Sequence, residues 1–409
     1  MRRIRLPGNP ARPDTMFRKT FQALDHLLTE HQPLIAGNPY REPEHYRMLL
    51  SDSQWAFLET LPPDELDALQ ADDQALLARL AHHFQFIKDI QSLIAGIPHV
   101  NPDTAITHIS ERDFPSVPGR KLEQIRGFIS ALGPVDRPLV EWCAGKAHLG
   151  RCLHRLHRQP VRSLELNPTL VEEGRRLANK LPVQIEICNV MEPMPDDWIA
   201  PSHHVIGLHA CGDLHRRMLT LAASQKAHRI SLSPCCYQLT RDCHYVPLSH
   251  AGHASTLRLD RDLLHTAIRG SITQPPSGNR QRKQLQAWRL GFDLLQRQMT
   301  GSTTYLNQPS VSTAILQDGF VAFCQRIADH HALTLPSPEI IAPFEQMGMT
   351  RFDTVARLDL VRSLFRRALE LWLVTDMVLF LEEQGYTVAL RTYCPTRISP
   401  RNLLIDARR

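Results

Sequence analysis

The sequence has few cysteines and lacks a long apolar run. Nine cysteines among 409 residues are too sparse for a disulfide scaffold, and their odd number leaves at least one unpaired. No uninterrupted apolar stretch approaches the roughly 20 residues of a membrane span, and the basic N-terminus lacks the apolar segment of a signal peptide. We therefore expect reduced thiols, a cytoplasmic location and no membrane partner.

Aromatic residues are also scarce, at 6% of the chain, which argues against a broad base-stacking surface. What is present fits a folded protein, with 43% hydrophobic and 22% charged residues. The formal net charge is +5, and 21 histidines add positive charge when they are protonated. This balance permits a nucleic-acid partner without requiring one.

Composition and hydrophobic spacing divide the chain into five predicted regions. Leucines recur three to four residues apart before residue 115, which is typical of helices, whereas short β-rich runs alternate with helical stretches after residue 118. We detect no internal repeat. The predicted regions are a flexible basic arm (1–20), a helical N-terminal domain (21–117), an α/β core (118–240), a mostly helical insertion (241–354), and a C-terminal helix with two strands that complete the core (355–409).

The alternation after residue 118 predicts a parallel sheet with helices on both faces. In such a sheet, ligands bind beyond the carboxyl ends of the strands, near the point where the strand order reverses. The five predicted strands lie within "PLVEWCAGKAHLG", "VRSLELNP", "VQIEICNVMEP", "HHVIGLHACGDL" and "HRISLSPCCY".

The first three strand ends carry residues suited to a nucleoside. Glu141 is followed by a turn at Gly145, where a ligand can approach the backbone at a helix N-terminus, although such turns also occur without a ligand. Glu165 ends the second strand and can accept hydrogen bonds from ribose hydroxyls, or it can serve only as a charge at the next helix N-terminus. Asn189 ends the third strand, and its amide suits an adenine edge.

The fourth and fifth strands end at "HACGD" and "PCCY". Parallel strands present their carboxyl ends at one edge of the sheet, so all five places are expected to converge there. The motifs "VEWCAGKAHLG", "LEL", "LHACGDL" and "SPCCY", in that order, resemble class I S-adenosylmethionine-dependent methyltransferases. More narrowly, they resemble the branch of the glutathione S-transferase C-terminal-domain-containing protein and its tRNA ribose methyltransferase relatives.

This resemblance implies a Rossmann-like sheet of seven strands and S-adenosylmethionine as the cofactor. It implies that the Gly145 turn holds the methionine moiety, Glu165 the ribose and Asn189 the adenine side. Alanine stands at 147 where the family usually has glycine, and asparagine at 189 where many members have aspartate. The cofactor-binding set implied by the resemblance is Glu141, Ala144, Gly145, Ala147, Glu165, Leu166, Asn189, Val190, His209 and Cys211.

Methyl transfer to a hydroxyl needs alignment and a base, and His209 and Asp213 are the candidates for the base. Cys235, Cys236 and Tyr237 complete the predicted catalytic set. Small polarizable cysteines can form a dry pocket wall, which is our prediction for the pair. A covalent nucleophile at Cys235 or a base-stacking motif remains an alternative, although both are expected after the fourth strand.

A zinc site is a further alternative for these cysteines, built from Cys211, Cys235 and Cys236 with Cys243 or His244. Adjacent cysteines seldom ligate one zinc ion, because two to four residues usually separate paired ligands. The prediction is therefore that the chain holds no metal.

The predicted acceptor is RNA, with tRNA favoured, and much of this prediction rests on the resemblance. Arginines and lysines in the N-terminal arm, at 280–283 and at Arg397, Arg401, Arg408 and Arg409 could contact phosphates. The alternatives are a small molecule or a protein as acceptor, or a non-catalytic module that binds RNA or a partner. The sequence does not indicate the oligomeric state.

Overall fold

The computed structural model describes residues 15–98, 116–268 and 276–409, with only the backbone for 276–279. Most of the predicted basic arm, and the first part of the predicted basic loop before residue 276, lie outside these ranges.

One sheet of seven strands forms the centre of the fold. Its strand order is β3-β2-β1-β4-β5-β7-β6. The strands are β1 (Leu139–Trp142), β2 (Val161–Glu165), β3 (Val183–Ile187), β4 (His204–Cys211), β5 (Arg229–Cys235), β6 (Thr387–Thr392) and β7 (Leu403–Arg408).

Strands β1 to β5 are parallel, and β7 runs antiparallel to both β5 and β6. Every residue of β1 and β5 is buried, as expected for central parallel strands covered on both faces. The strand order reverses between β1 and β4, so the ligand-binding crevice of such a sheet lies beyond their carboxyl ends. The predicted seven-stranded α/β fold with helices around the sheet is confirmed.

Eighteen α-helices accompany the sheet in the described ranges. They are α1 (Met16–Glu30), α2 (Gln32–Ala36), α3 (Pro43–Met48), α4 (Asp52–Glu59), α5 (Pro63–Ala71), α6 (Asp73–Leu80), α7 (Ile87–Ala95), α8 (Gly119–Leu132), α9 (His148–His157), α10 (Pro168–Leu177), α11 (Asp213–Ser224), α12 (His250–Ala254), α13 (Arg261–Thr266), α14 (Pro276–Thr300), α15 (Phe320–His330), α16 (Pro338–Ile341), α17 (Pro343–Ser363) and α18 (Arg366–Glu383). None of them is both long and apolar enough to cross a bilayer.

The chain folds into two compact units, and the sheet belongs to the first. Unit 1 contains 1–30, 89–269 and 366–409, and unit 2 contains 31–88 and 270–365. Residues 21–117, predicted as one helical domain, are thus distributed over both units, as is the segment 241–354. The five predicted regions remain predictions.

Unit 1 is held together at its C-terminal strand pair by a buried ion pair. The Arg229 guanidinium donates to both carboxylate oxygens of Asp406, at 2.7 and 3.0 Å, and Ser231 Oγ donates to the same carboxylate at 2.8 Å. Arg229 also donates to the carbonyls of Leu132 and Pro134. These bonds connect β5 to β7 and to the end of α8. They also pair the buried charges of Arg229 and Asp406, which would be costly to leave unpaired.

Unit 2 is helical and owes part of its packing to two glycines. A Cβ placed on Gly348 would lie 2.4 Å from the carbonyl oxygen of Ala287 and 2.7 Å from Gly291, so α14 and α17 approach each other closely. The leucines that predicted helices before residue 115 are buried in α5 and α6, which are separate helices with Asp72 capping the second.

The C-terminal helical segment differs from the single long helix that its apolar pattern indicates. It forms α17 and α18, separated by Leu364 and Phe365. The amide of Phe365 bonds to the carbonyl of Arg362, a tighter turn than the α-helix makes. Both residues of the break are buried, so apolar spacing alone does not reveal it.

Candidate functional site

The turn between β1 and α9 has an unusual backbone. Cys143, Gly145 and Ala147 adopt φ values of 53°, 57° and 53°, in the left-handed region that only glycine enters without cost. A Cβ added to Gly145 would find nothing within 4 Å, so open space adjoins this residue. Ala147 is fully buried in the core of unit 1, which leaves its backbone, and not its side chain, to meet a cofactor.

Glu165 connects this turn to the end of β2. Its Oε2 accepts from the amide of Gly145 at 2.8 Å, and its Oε1 accepts from the amide of Asn167 at 2.9 Å. Each carboxylate oxygen of Glu165 thus already accepts one hydrogen bond. A carboxylate oxygen can accept a second hydrogen bond, so a ribose diol still fits here.

The neighbouring predicted contacts lie along the same edge. Leu166 is 60% exposed beside Glu165 and offers an apolar surface to a flat ring. Asn189 is exposed, and its Oδ1 accepts from the amide of Met191 at 3.1 Å, so its amide nitrogen is the group left for a ligand. Val190 is buried, and Ala144 donates its amide to the carbonyl of Leu164 at 2.9 Å.

Glu141 has partners other than the predicted cofactor. It is 4% exposed, and its Oε2 accepts from Ser163 Oγ at 2.7 Å. A Cβ on Gly150 would lie 2.5 Å from the same oxygen, so α9 packs directly on this carboxyl. Burial raises the pKa of Glu141 to about 7. The geometry makes Glu141 an anchor between β1, β2 and α9.

His209 lies at an irregularity in β4. The register of β4 against β5 shifts between Leu208 and Ala210, and His209 has a φ of 65°. Burial, followed by the positive charges of Lys121 and Arg401, lowers the pKa of His209 to about 4. The imidazole is therefore neutral near pH 7 and carries a lone pair that can accept a proton.

Asp213, the other predicted base, is engaged in local structure. Its Oδ2 accepts from the amide of Arg241 at 2.8 Å, and its Oδ1 lies 3.8 Å from Arg216 Nη1. Its own amide donates to the carbonyl of Leu239 at 3.0 Å. Asp213 thus fastens the segment after β5 to the start of α11, and of the two candidates His209 has the freer side chain.

The cysteines come together at the ends of β4 and β5. Cys211 and Cys235 are register partners, and their sulfur atoms are 3.3 Å apart. The sulfur atoms of Cys211, Cys235 and Cys236 all lie within 4.8 Å of one another. Cys243 is exposed and, like His244, does not belong to this group.

Tyr237 lies in the interior rather than at a substrate surface. It is 2% exposed, its ring packs edge-on against His215 at 5.6 Å, and burial raises its pKa well above the usual value. Direct contact with an acceptor would require this segment to move. The structure therefore makes Tyr237 a packing residue behind the cysteines.

Two cations act together at this edge, and the sequence does not predict their proximity. Lys121 is in the first turn of α8, and Arg401 is in the connection between β6 and β7, far away in sequence. Their charges act together on His209, and that of Arg401 also acts on Cys211 and Cys236. Because Lys121 and Arg401 are so far apart in the chain, no sequence pattern indicates that they act together.

The edge as a whole suits a sulfonium nucleoside: an open glycine turn, an acid with backbone-anchored oxygens and an exposed apolar side chain follow one another at the ends of β1 and β2. Residues 120–243 match the sequence profile of a family described as a methyltransferase domain. This segment is therefore similar to a methyltransferase domain.

Solved structures with similarity to the chain are also methyltransferases. Geranyl diphosphate C-methyltransferase from Streptomyces coelicolor A3(2) has 19% identity and a TM-score of 0.25, over 34% of this chain and 56% of that one. Magnesium protoporphyrin IX methyltransferase from Synechocystis PCC 6803 has 9% identity and a TM-score of 0.26, over 87% and 93%. The 23S rRNA methyltransferase ErmE has 14% identity and a TM-score of 0.23, over 58% and 96%.

The chain spans 44% to 60% of the geranyl diphosphate methyltransferase structures that it matches. These similarities are too weak to indicate a substrate. A search among curated proteins finds no significant match. The fold assignment rests on the strand order and the matched segment.

Proposed function

We propose that this chain is an S-adenosylmethionine-dependent methyltransferase that acts on RNA, with tRNA as the favoured substrate. The observation that supports the proposal is the pair of cations, Lys121 and Arg401, whose charges meet at His209. Both side chains are partly exposed, so an acceptor that approaches the candidate base comes under the influence of two positive charges. A phosphate of an RNA backbone is the group that such a pair binds best.

The position of the other predicted phosphate contacts sharpens this proposal. Arg408 pairs in register with Arg229, the first residue of β5, and it lies 3.6 Å from Asp406. It therefore lies at the edge of the sheet opposite the strand carboxyl ends. Lys283 forms an ion pair with Asp67 in unit 2. Of the predicted cations within the described ranges, Arg401 is the one whose charge acts on His209.

The residues at the strand ends have different roles in the proposed reaction. When bound, S-adenosylmethionine supplies a methyl group on a positively charged sulfur. Glu165 and the backbone at Gly145 hold the nucleoside and the amino acid parts, which aligns the reacting atoms. Neutral His209 would accept the proton that an acceptor hydroxyl loses on methylation.

Transfer of a tritium-labelled methyl group from S-adenosylmethionine to bulk tRNA tests the proposal. We expect label in RNA with wild-type protein, and mass spectrometry of nucleosides then identifies the methylated position. Lys121→Ala and Arg401→Ala should each raise the KM for RNA and make the dependence of binding on salt less steep, because each removes a phosphate contact. Binding of S-adenosylmethionine itself should be unchanged.

Arg408→Ala is the matched control, since it removes an exposed arginine at the other edge of the sheet. Equal effects of Arg408→Ala and Arg401→Ala would contradict the proposed approach of RNA to His209. Label that enters protein or a small molecule and never RNA would overturn the proposed substrate class and leave the methyltransferase domain intact.

A further inference from the structure

The three-thiol cluster formed by Cys211, Cys235 and Cys236 is more compact than its sequence suggests. In a regular strand, neighbouring side chains point to opposite faces, so Cys235 and Cys236 would diverge. Cys236 instead has a φ of 48°, which breaks the alternation just after β5. As a result, all three sulfur atoms lie within 4.8 Å of one another.

Cys211 reaches the cluster through the irregularity in β4. The register shift between Leu208 and Ala210 brings Cys211 opposite Cys235, and His209 at the shift has a φ of 65°. Two non-glycine residues in left-handed conformations therefore border the same three sulfur atoms. Backbone strain of this kind concentrates at functional sites.

We propose that Cys211, Cys235 and Cys236 bind a zinc ion through three sulfur ligands and leave one coordination position open. Zinc–sulfur bonds of about 2.3 Å in a tetrahedral site separate the sulfur atoms by about 3.8 Å. The observed separations, 3.3 Å for Cys211 and Cys235 and at most 4.8 Å for the others, span that value. The left-handed turn at Cys236 removes the usual objection to adjacent cysteines as ligands of one ion.

The surroundings suit the charge of such a site. Three thiolates and Zn²⁺ carry a net charge of −1, and the positive charge of Arg401 acts on both Cys211 and Cys236. Cys235 is 3% exposed, whereas Cys211 and Cys236 are partly exposed. The cluster is therefore buried on the side of Cys235 and open to solvent on the side of Cys211 and Cys236.

A redox pair is the competing interpretation. A disulfide needs sulfur atoms about 2.05 Å apart and uses two cysteines, whereas here a third thiol lies in the same group. Three ligands with an open position are the arrangement of zinc sites in which a water or a substrate atom occupies the fourth place. The proposal stands on the sulfur geometry and does not depend on RNA as the acceptor.

Metal analysis of the full-length protein tests the proposal. Protein purified under reducing conditions should contain about one zinc per chain by plasma mass spectrometry. After zinc removal, titration of wild type with Co²⁺ should produce sulfur-to-cobalt charge-transfer absorption with saturation at one equivalent. Cys211→Ser, Cys235→Ser and Cys236→Ser should each weaken cobalt affinity at least about tenfold, whereas Cys243→Ser, which removes an exposed thiol outside the cluster, should not.

Charge-transfer absorption that is lost in the three variants and kept in Cys243→Ser supports the site. Reduced wild-type protein that retains no zinc and gives no cobalt charge-transfer band overturns it, and this measurement needs no variant that must fold. Equal cobalt affinity in all four variants, or isolation of a Cys211–Cys235 disulfide under the same reducing conditions, also overturns it.

Discussion

At the scale of single residues, burial decides which side chains can take part in chemistry. Glu141 and Tyr237 were candidates because they stand at strand ends, yet both are almost completely buried. His209 is partly exposed, and the irregularity in β4 turns its backbone where a regular strand would not. We therefore propose His209 as the proton acceptor of the reaction.

The first prediction concerns the pKa of His209, which burial and the charges of Lys121 and Arg401 lower to about 4. The unfolded chain takes up a proton near pH 6.5, so between about pH 6.5 and 4 it binds more protons than the folded protein. Falling pH across this window therefore costs stability. Arg401→Gln should raise the pKa of His209, measured by NMR titration of the imidazole, and reduce that loss.

Arg408→Gln is the control for this titration and should leave the pKa of His209 unchanged. The same cause predicts a difference between free and RNA-bound protein, because phosphates neutralise both cations. The acid limb of kcat, which reports the complex, should then lie at higher pH than that of kcat/KM. A pKa near 6.5 in the free wild-type protein would contradict this description of the site.

The second prediction concerns Glu141, whose pKa burial raises from 4.5 to about 7. Between these values the unfolded chain releases a proton that the folded protein retains, so stability falls as pH rises from about 4.5 to 7. Glu141→Gln removes this linkage and should flatten the pH dependence of the free energy of unfolding by about 1–3 kcal/mol. Denaturant unfolding at several pH values measures it, with Glu186→Gln on β3 as the control that keeps the wild-type dependence.

At the scale of elements, the third prediction concerns the turn between β1 and α9. Gly145 has a φ of +57° and open space where a Cβ would be. Gly145→Ala should cost about 1–2 kcal/mol of stability through backbone strain and should also weaken S-adenosylmethionine binding at least about tenfold, because the new methyl group enters the cofactor space. Thermal unfolding and calorimetry measure the two effects.

Gly133 provides the matched control for that variant. It has a φ of +67°, also with nothing within 4 Å of an added Cβ, but it precedes β1 at the other edge of the sheet. Gly133→Ala should cost at least as much stability, because Gly133 has a ψ of −152° in a region that is essentially limited to glycine, and its cofactor affinity should stay within about twofold of wild type. Equal losses of affinity in both variants would contradict the prediction that the Gly145 turn contacts the cofactor.

The elements themselves were largely predictable from the sequence. Alternating apolar runs located β1 to β5, and the resemblance supplied the seven-stranded architecture that the structure confirms. The break between α17 and α18 was not predictable, because Leu364 and Phe365 continue the apolar pattern. The left-handed conformations of Cys143, His209 and Cys236 were not predictable either, since these residue types rarely adopt positive φ.

At the scale of the molecule, the site is a product of topology. The carboxyl ends of β1 to β5 lie at one edge of the sheet because these strands are parallel. The reversal of strand order between β1 and β4 opens a crevice at that edge. Sequence order predicts which strands end at this edge, but it does not predict that Lys121 and Arg401 join them. The sequence also left several roles open for Cys211, Cys235 and Cys236, because the distances between their sulfur atoms depend on one register shift and one left-handed residue.

Calorimetric titration of S-adenosylmethionine into the full-length protein tests most directly whether this edge holds the cofactor. We predict one molecule bound per chain by wild type, and at least about tenfold weaker binding by Glu165→Ala, which loses charge-assisted hydrogen bonds. Glu186→Ala on the neighbouring strand should bind as wild type does, and circular dichroism verifies that each variant is folded. Absence of binding by wild type, with and without RNA, or undiminished binding by folded Glu165→Ala, would contradict the account.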